Sequence, residues 1–161
     1  FFFAGKVGGD NKEPKPPGSP WPICQTRTNP LYSAGMRQQV YAHHSARPGY
    51  RIVAHSPSYI EDMSRAKFCL APTGGGHGKR QVLVARFGCI PVPITDFVMQ
   101  PFEPELPWSE FSVSVREADV PRMHTILAVI TPAKLTAMQA AVVCASRHMW
   151  WSTMWGGIFG E

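Results

Sequence analysis

The sequence predicts an α/β domain, a Rossmann-like parallel sheet flanked by helices. Three observations carry this. Short apolar runs of strand length alternate with segments of helical periodicity, Gly or Pro punctuates the runs, and a glycine-rich loop stands between a strand and a helix. At 161 residues the chain fits one domain and is long enough to bury a core. A hydrophobic fraction of 44% and a charged fraction of 17% are those of a globular protein. No apolar run reaches the roughly 18 residues that a membrane helix needs.

Phe1 to Ala4 reads as a buried strand that ends at Gly5. That opening looks like the interior of a protein, with no initiator Met and no signal-like segment, so the sequence is read as a fragment whose targeting information lies outside it. Residues 8–22 form a Pro/Gly-rich loop, because Pro14, Pro16, Pro17, Pro20 and Pro22 forbid helix while Gly8, Gly9 and Gly18 add freedom. Ser33 is placed to cap a helix through Met36, Val40 and Tyr41 to His44, and Tyr50 to Ala54 is the second strand. Ser56-Pro57, a cap followed by proline in the first turn, starts a helix carrying Tyr59 and Met63. Lys67 to Ala71 is a short apolar run ending at Pro72, as expected of a buried parallel strand.

The loop Thr73-Gly74-Gly75-Gly76-His77-Gly78 follows, then a helix from Lys79 to Phe87 that Gly88 ends in the left-handed conformation. Cys89 to Ile94 is the next strand, short of the ladder bonds that Pro91 and Pro93 cannot donate. Phe111 to Val115 alternates and reads as a strand. Asp119 is expected to cap a helix whose apolar face is Val120, Met123, Leu127 and Ile130. Thr131-Pro132 starts the last helix, with Leu135, Met138 and Val142 spaced likewise.

In an open parallel sheet, ligands sit outside the carboxyl ends of the strands. The segment Pro72 to Arg80 lies at such an end. Gly74, Gly75, Gly76 and Gly78 let the backbone approach an oxyanion closely, and the helix that follows presents unpaired N–H groups. Lys79 and Arg80 put two cations in its first turn, where each opposes the helix dipole by about 0.3–1 kcal/mol. An anion there reverses that penalty, so the loop is read as the phosphate site of a nucleotide-type ligand. His77 sits inside the loop and can bond a phosphate. Arg37, in the first turn of the first helix, is a candidate second phosphate contact, although an exposed arginine is the commoner reading of such a position. Asp96 follows a strand; it either accepts hydrogen bonds from ribose or sugar hydroxyls or caps a turn with Thr95.

Two familiar loops are excluded. The phosphate loop of NTPases needs Gly at position 73 and Ser or Thr at position 80, where this chain has Thr73 and Arg80. The dinucleotide fingerprint GxGxxG does not match Gly74-Gly75-Gly76-His77-Gly78 either. A formal charge of +5 suits an anionic ligand, but the basic residues are scattered and form no nucleic-acid groove. Cys24, Cys69, Cys89 and Cys144 lack zinc-site spacing; their even number permits disulfides in a secretory lumen, and buried free thiols are the simpler reading. His43, His44, His55, His124 and His148 form no ligand-spaced set and are expected at the surface. The Glu103-Pro104-Glu105 pair reads as solvated carboxylates, and no metal is expected. Trp150, Trp151 and Trp155 either stack on a carbohydrate or close a core.

The run Tyr59 to Arg80 (YIEDMSRAKFCLAPTGGGHGKR), then Gly88-Cys89-Ile90-Pro91-Val92 with Asp96, Pro101-Phe102 and WSEFSVSV from Trp108 to Val115, resembles the C-terminal part of the exostosin-like glycosyltransferase family. Green-algal versions with a Gly-Gly-Gly-His-Gly-Lys-Arg loop look most similar. The resemblance covers nearly the whole chain. It implies the C-terminal half of a GT-B glycosyltransferase, a nucleotide-sugar-binding domain, working by inverting, metal-independent transfer from a UDP-sugar to a glycan or glycoprotein acceptor. It implies a hexosyl- or pentosyl-transferring enzyme without a cofactor, held in the Golgi lumen as a type II membrane protein by a segment outside this sequence.

On that resemblance Arg80 matches the arginine at the start of the donor helix, where it neutralises the leaving diphosphate, and Arg37 matches an arginine early in the first helix of that half. One departure stands out. Members commonly carry an acidic residue three positions after the donor arginine, and here that residue is Leu83. Either Asp96 takes over the ribose contact, or the donor is held differently, or donor binding is weakened. The acceptor half and the catalytic base belong to an N-terminal domain outside this sequence, so the fragment alone is expected to bind donor and transfer nothing. The competing reading is a non-catalytic nucleotide- or glycan-binding module.

Overall fold

A computed structural model describes residues 1–7, 32–72, 79–94 and 96–149. The Pro/Gly-rich loop at 8–22, the glycine loop at 73–78 and the three C-terminal tryptophans lie outside the described residues. Four strands form the sheet: β1 (Phe2–Ala4), β2 (Arg51–Val53), β3 (Phe68–Leu70) and β4 (Ile90–Val92). All neighbours are parallel, in the order β2-β1-β3-β4. Phe3 lies opposite Ile52, Phe2 opposite Cys69, and Leu70 opposite Val92.

The chain moves from β1 to one side for β2, then crosses to the other side for β3. The strand order therefore reverses between β1 and β3, and the crevice of the sheet opens at their carboxyl ends, Ala4 and Leu70.

Successive strand residues point to opposite faces, and the core divides accordingly. Phe3, Ile52, Phe68, Leu70, Ile90 and Val92 pack on one face, against α1 (Met36–His44), α5 (Met123–Ala128) and α6 (Pro132–His148) through Met36, Val40, Met123 and Met138. Phe2, Ala4 and Cys69 pack on the other, against α2 (Tyr59–Arg65) and α3 (Lys79–Arg86) through Met63 and Val84. A third cluster joins α3 and α6 to α4 (Trp108–Phe111), where Ala85, Trp108, Phe111, Val142 and Met149 meet. Trp108 buries its ring and donates its indole N–H to the Pro101 carbonyl at 2.8 Å, which ties down the preceding loop. Among the described residues no single helix is long and apolar enough to cross a membrane.

Several helix starts differ from the sequence expectation. Ser33 has a φ of 55° inside a 3-10 turn, and Gly35, at φ 76°, takes the position before α1 with no side-chain cap. Ser56 lies ahead of α2, where its hydroxyl accepts from the Ser58 N–H and donates to Asp62. Asp119 falls within a 3-10 segment, Glu117–Arg122, and binds Arg116 at 2.8 Å and Arg122 at 2.7 Å, so α5 starts later, at Met123. Thr131 does cap α6, accepting from the Lys134 N–H with Pro132 in the first turn. Gly88 ends α3 at φ 72° as expected.

The segment expected as a strand over Phe111 to Val115 is half helix and half ladder. Phe111 ends α4, after which Val113 and Val115 donate to the carbonyls of Pro91 and Pro93 at 2.9 and 3.0 Å. In a parallel ladder the return bond to Val113 would come from residue 93, which as proline has no N–H. At that point the segment covering the free edge of β4 bonds it in one direction only.

Two expectations about buried side chains are corrected. Cys69 and Cys89 form a disulfide across β3 and the entry to β4, their Cα atoms 5.8 Å apart, in place of free thiols; Cys144 is free but exposed. His44, expected at the surface, is fully buried beneath the 3-10 segment and bonds the Val120 carbonyl at 2.7 Å.

Candidate functional site

The site is built on the carboxyl end of β1. Phe3 is 1% exposed, and its ring is flanked by two guanidinium groups: the Arg80 Cζ lies 4.6 Å from the ring centroid and the Arg37 Cζ 5.5 Å. Each arginine also bonds the backbone that leaves the strand. Arg80 donates from Nη2 to the Ala4 carbonyl at 2.9 Å, and Arg37 donates from Nη1 to the Lys6 carbonyl at 2.9 Å. A third contact comes from α2, whose Tyr59 hydroxyl accepts from Arg80 Nη1 at 3.0 Å beneath a ring 5.8 Å from the guanidinium.

The local sequence explains why these groups meet. Arg37 is the second residue of α1 and Arg80 the second of α3, and these helices approach β1 from opposite faces of the sheet. Arg37 is buried and Arg80 half-buried. Gly5 makes the approach possible: a Cβ there would lie 2.6 Å from Arg80 Nη2. Aromatic faces attract guanidinium groups, and carbonyl oxygens accept from them, so two cations share one aromatic seat at the strand end. Such a pair is a ready receptor for a multiply charged anion.

The other candidates are spread around this centre. Lys79 opens α3 and is exposed, while Gly74, Gly75, Gly76, His77 and Gly78 lie outside the described residues. Leu83, one turn along α3 from Arg80, is 36% exposed. Asp96 follows β4, and its Oδ1 accepts from the Glu117 N–H at 3.2 Å, tying the strand end to the start of the 3-10 segment. Among the described residues, no three His, Cys, Asp or Glu side chains come together as a metal-ligating group. Phe3, Gly5 and Tyr59 were not among the sequence candidates. A glycine directly after a buried strand was the available signal for a close approach; nothing in the pattern pointed to Tyr59, which reads as an ordinary helix residue.

The profile of the exostosin GT47 domain matches residues 1–130 of the chain. This chain belongs to the exostosin GT47 family. Within it, the chain is 46% identical over 99 residues to a rice (Oryza sativa subsp. japonica) protein named "Probable glucuronosyltransferase", a match covering 60% of this chain and 24% of that protein. A second rice protein of that name is 40% identical over 111 residues, covering 68% of this chain and 27% of its own length. An Arabidopsis thaliana protein named "Probable beta-1,4-xylosyltransferase" is 42% identical over 103 residues, covering 63% and 25%. The matches thus span about a quarter of the length of these relatives. The exostosin GT47 match includes both arginines, Phe3, Gly5, Tyr59, the disulfide and Asp96.

Proposed function

We propose that this chain is the donor-binding part of an inverting, metal-independent glycosyltransferase that moves a sugar from a UDP-sugar to a glycan or glycoprotein acceptor. The observation that carries the reading is the convergence of Arg37 and Arg80 on Phe3 at the carboxyl end of β1, beside the point where the strand order reverses. Membership of the exostosin GT47 family and relatives named for glycosyl transfer support it. Those names include both a glucuronosyl- and a xylosyltransferase, so the proposal names no particular sugar on the UDP donor.

In such a transfer an acceptor hydroxyl oxygen bonds the anomeric carbon as the bond from that carbon to the diphosphate oxygen breaks. A base takes the hydroxyl proton, and the electron pair leaves on the diphosphate. Arg80 and Arg37 meet that negative charge, with the loop Gly74 to Gly78, including His77, and Lys79 completing the donor site and Asp96 on the ribose side. Charge stabilisation by fixed guanidinium groups serves the role that a divalent cation serves elsewhere. The base and the acceptor site come from an N-terminal half outside this sequence, so this chain alone binds donor and transfers nothing. A lumenal, membrane-anchored enzyme of the Golgi fits the reading, and the Cys69–Cys89 disulfide supports an oxidising compartment.

The test is calorimetric titration of UDP into the chain, beside an Arg80→Ala variant and with ATP as control. Saturable UDP binding that the variant weakens to a still measurable level is the expected result. Failure of the folded chain to bind UDP would favour the competing reading, a degenerate binding module, for which Leu83 in place of an acidic residue is the specific observation.

A further inference from the structure

A guanidinium group helps an anion most when its position is set before the anion arrives, because no side-chain freedom is then lost on binding. Arg80 is held in this way. Tyr59 fixes one corner of its fork, the Ala4 carbonyl a second, and the Phe3 ring supports its face at 4.6 Å. The same ring supports Arg37, so one buried side chain sets the spacing between the two cations.

Gly5 completes the seat. Its hydrogen faces Arg80 Nη2, and a Cβ in that place would lie 2.6 Å from the nitrogen, closer than real contacts come. The nitrogen is the far end of a flexible side chain, so the strain of a larger residue is relieved by moving the arginine off the strand end. The absence of a side chain at position 5 is therefore a condition on where Arg80 sits.

We propose that Phe3, Gly5 and Tyr59 are positioning residues for the donor's diphosphate, holding Arg80 and Arg37 in a preassembled fork at the end of β1. The proposal rests on the donor-site reading above. None of the three needs to touch the donor; each acts through an arginine.

The test is a set of double-mutant cycles read by calorimetry with UDP and with uridine, which lacks the phosphates. Tyr59→Phe removes only the hydroxyl and keeps the ring, and its UDP affinity should fall roughly tenfold, the ordinary loss for one hydrogen bond to a charged group. Gly5→Ala should lose at least as much, with uridine binding unchanged in both variants. In an Arg80→Ala background neither substitution should weaken UDP further, since residues acting through one group are not additive. Gly49→Ala is the control: Gly49 has a φ of 80° and open space around its Cα, so that variant carries backbone strain without an arginine to displace. It should lower thermal stability and leave UDP affinity alone.

Losses that persist in the Arg80→Ala background, or that fall equally on uridine, overturn the positioning role and leave the donor site standing. A crystal structure of Gly5→Ala with Arg80 still on the Ala4 carbonyl overturns it as well. Equal UDP affinity in the wild-type chain and the Arg80→Ala variant overturns the donor-site reading itself, and this inference with it.

Discussion

At the scale of single residues, His44 shows how burial converts a common side chain into a pH-dependent one. Its Nε2 donates to the Val120 carbonyl, its Nδ1 has no partner among the described residues, and the ring stacks on Tyr50 with centroids 5.5 Å apart. Burial above all holds its pKa below the usual 6.5; the Val120 carbonyl opposes this, and Arg47, His124 and His43 lower it further. The sign follows by linkage. With the folded pKa depressed, the unfolded chain takes up the proton first as the pH falls through 6.5, so unfolding becomes easier. Urea midpoints should drop between pH 7.5 and pH 5.5, and a His44→Phe variant should flatten that dependence. Gly88 makes a second prediction of this kind. Its φ of 72° has open space around it, so Gly88→Ala meets no clash but forces alanine into the left-handed region, at a cost of about 1–2 kcal/mol in chemical denaturation. Composition alone could not place His44, because its burial depends on a 3-10 segment more than seventy positions away. Gly88 was legible because a helix stop is a local event.

At the scale of elements, the disulfide and the proline-bearing edge decide how firmly β4 is held. The Cys69–Cys89 bond closes a segment with a sequence separation of 20 and encloses the glycine loop and α3. A loop of that length is stabilised by about 3 kcal/mol on the chain-entropy account, so the Cys69→Ser/Cys89→Ser double variant should lose about that much in urea unfolding under oxidising conditions. The outer edge of β4 offers a different test. Pro93→Ala supplies the missing N–H opposite Val113, and the new amide should exchange with deuterium as slowly as that of Val113, which bonds the Pro91 carbonyl. Strands β1, β3 and β4 were each found within the apolar run that announced them, because a buried parallel strand is apolar on both faces. The edge strand β2 was found within Tyr50 to Ala54 despite its exposed Arg51. The starts of α1, α2 and α5 were misplaced for a shared reason. Ser33, Ser56 and Asp119 are good capping residues, but Ser33 sits at φ 55° in a 3-10 turn with no hydroxyl partner among the described residues, Ser56 bonds Ser58 and Asp62, and Asp119 gives its carboxylate to Arg116 and Arg122. The partners of Ser56 and Asp119 all lie within six residues, so competing local turns and ion pairs took the place of the cap.

At the scale of the whole molecule, the candidate site is a product of topology. Arg37 and Arg80 stand far apart in the chain and on helices packed against opposite faces, yet they meet because both helices begin near the end of the strand between them. The sequence signalled each arginine as a first-turn cation, but their shared seat on Phe3 depends on β1 lying between β2 and β3. If the seat binds UDP, ligand and fold are linked: at a UDP concentration a hundredfold above Kd the chain should gain about 2.7 kcal/mol of stability, read as a concentration-dependent rise in Tm that is smaller in Arg80→Ala at the same UDP concentration.

The strand order also bears on how the chain comes together during synthesis. Of the four described strands β1 is made first and is an inner one, and its partners at Arg51–Val53 and Phe68–Leu70 emerge only later from the ribosome. Until they do, Phe2, Phe3 and Ala4 present an apolar ribbon with both backbone edges unpaired, the kind of segment that recruits chaperones or sticks to another nascent chain. The aromatic residue that seats two cations in the finished protein is thus, for the first part of its existence, the one most in need of shelter.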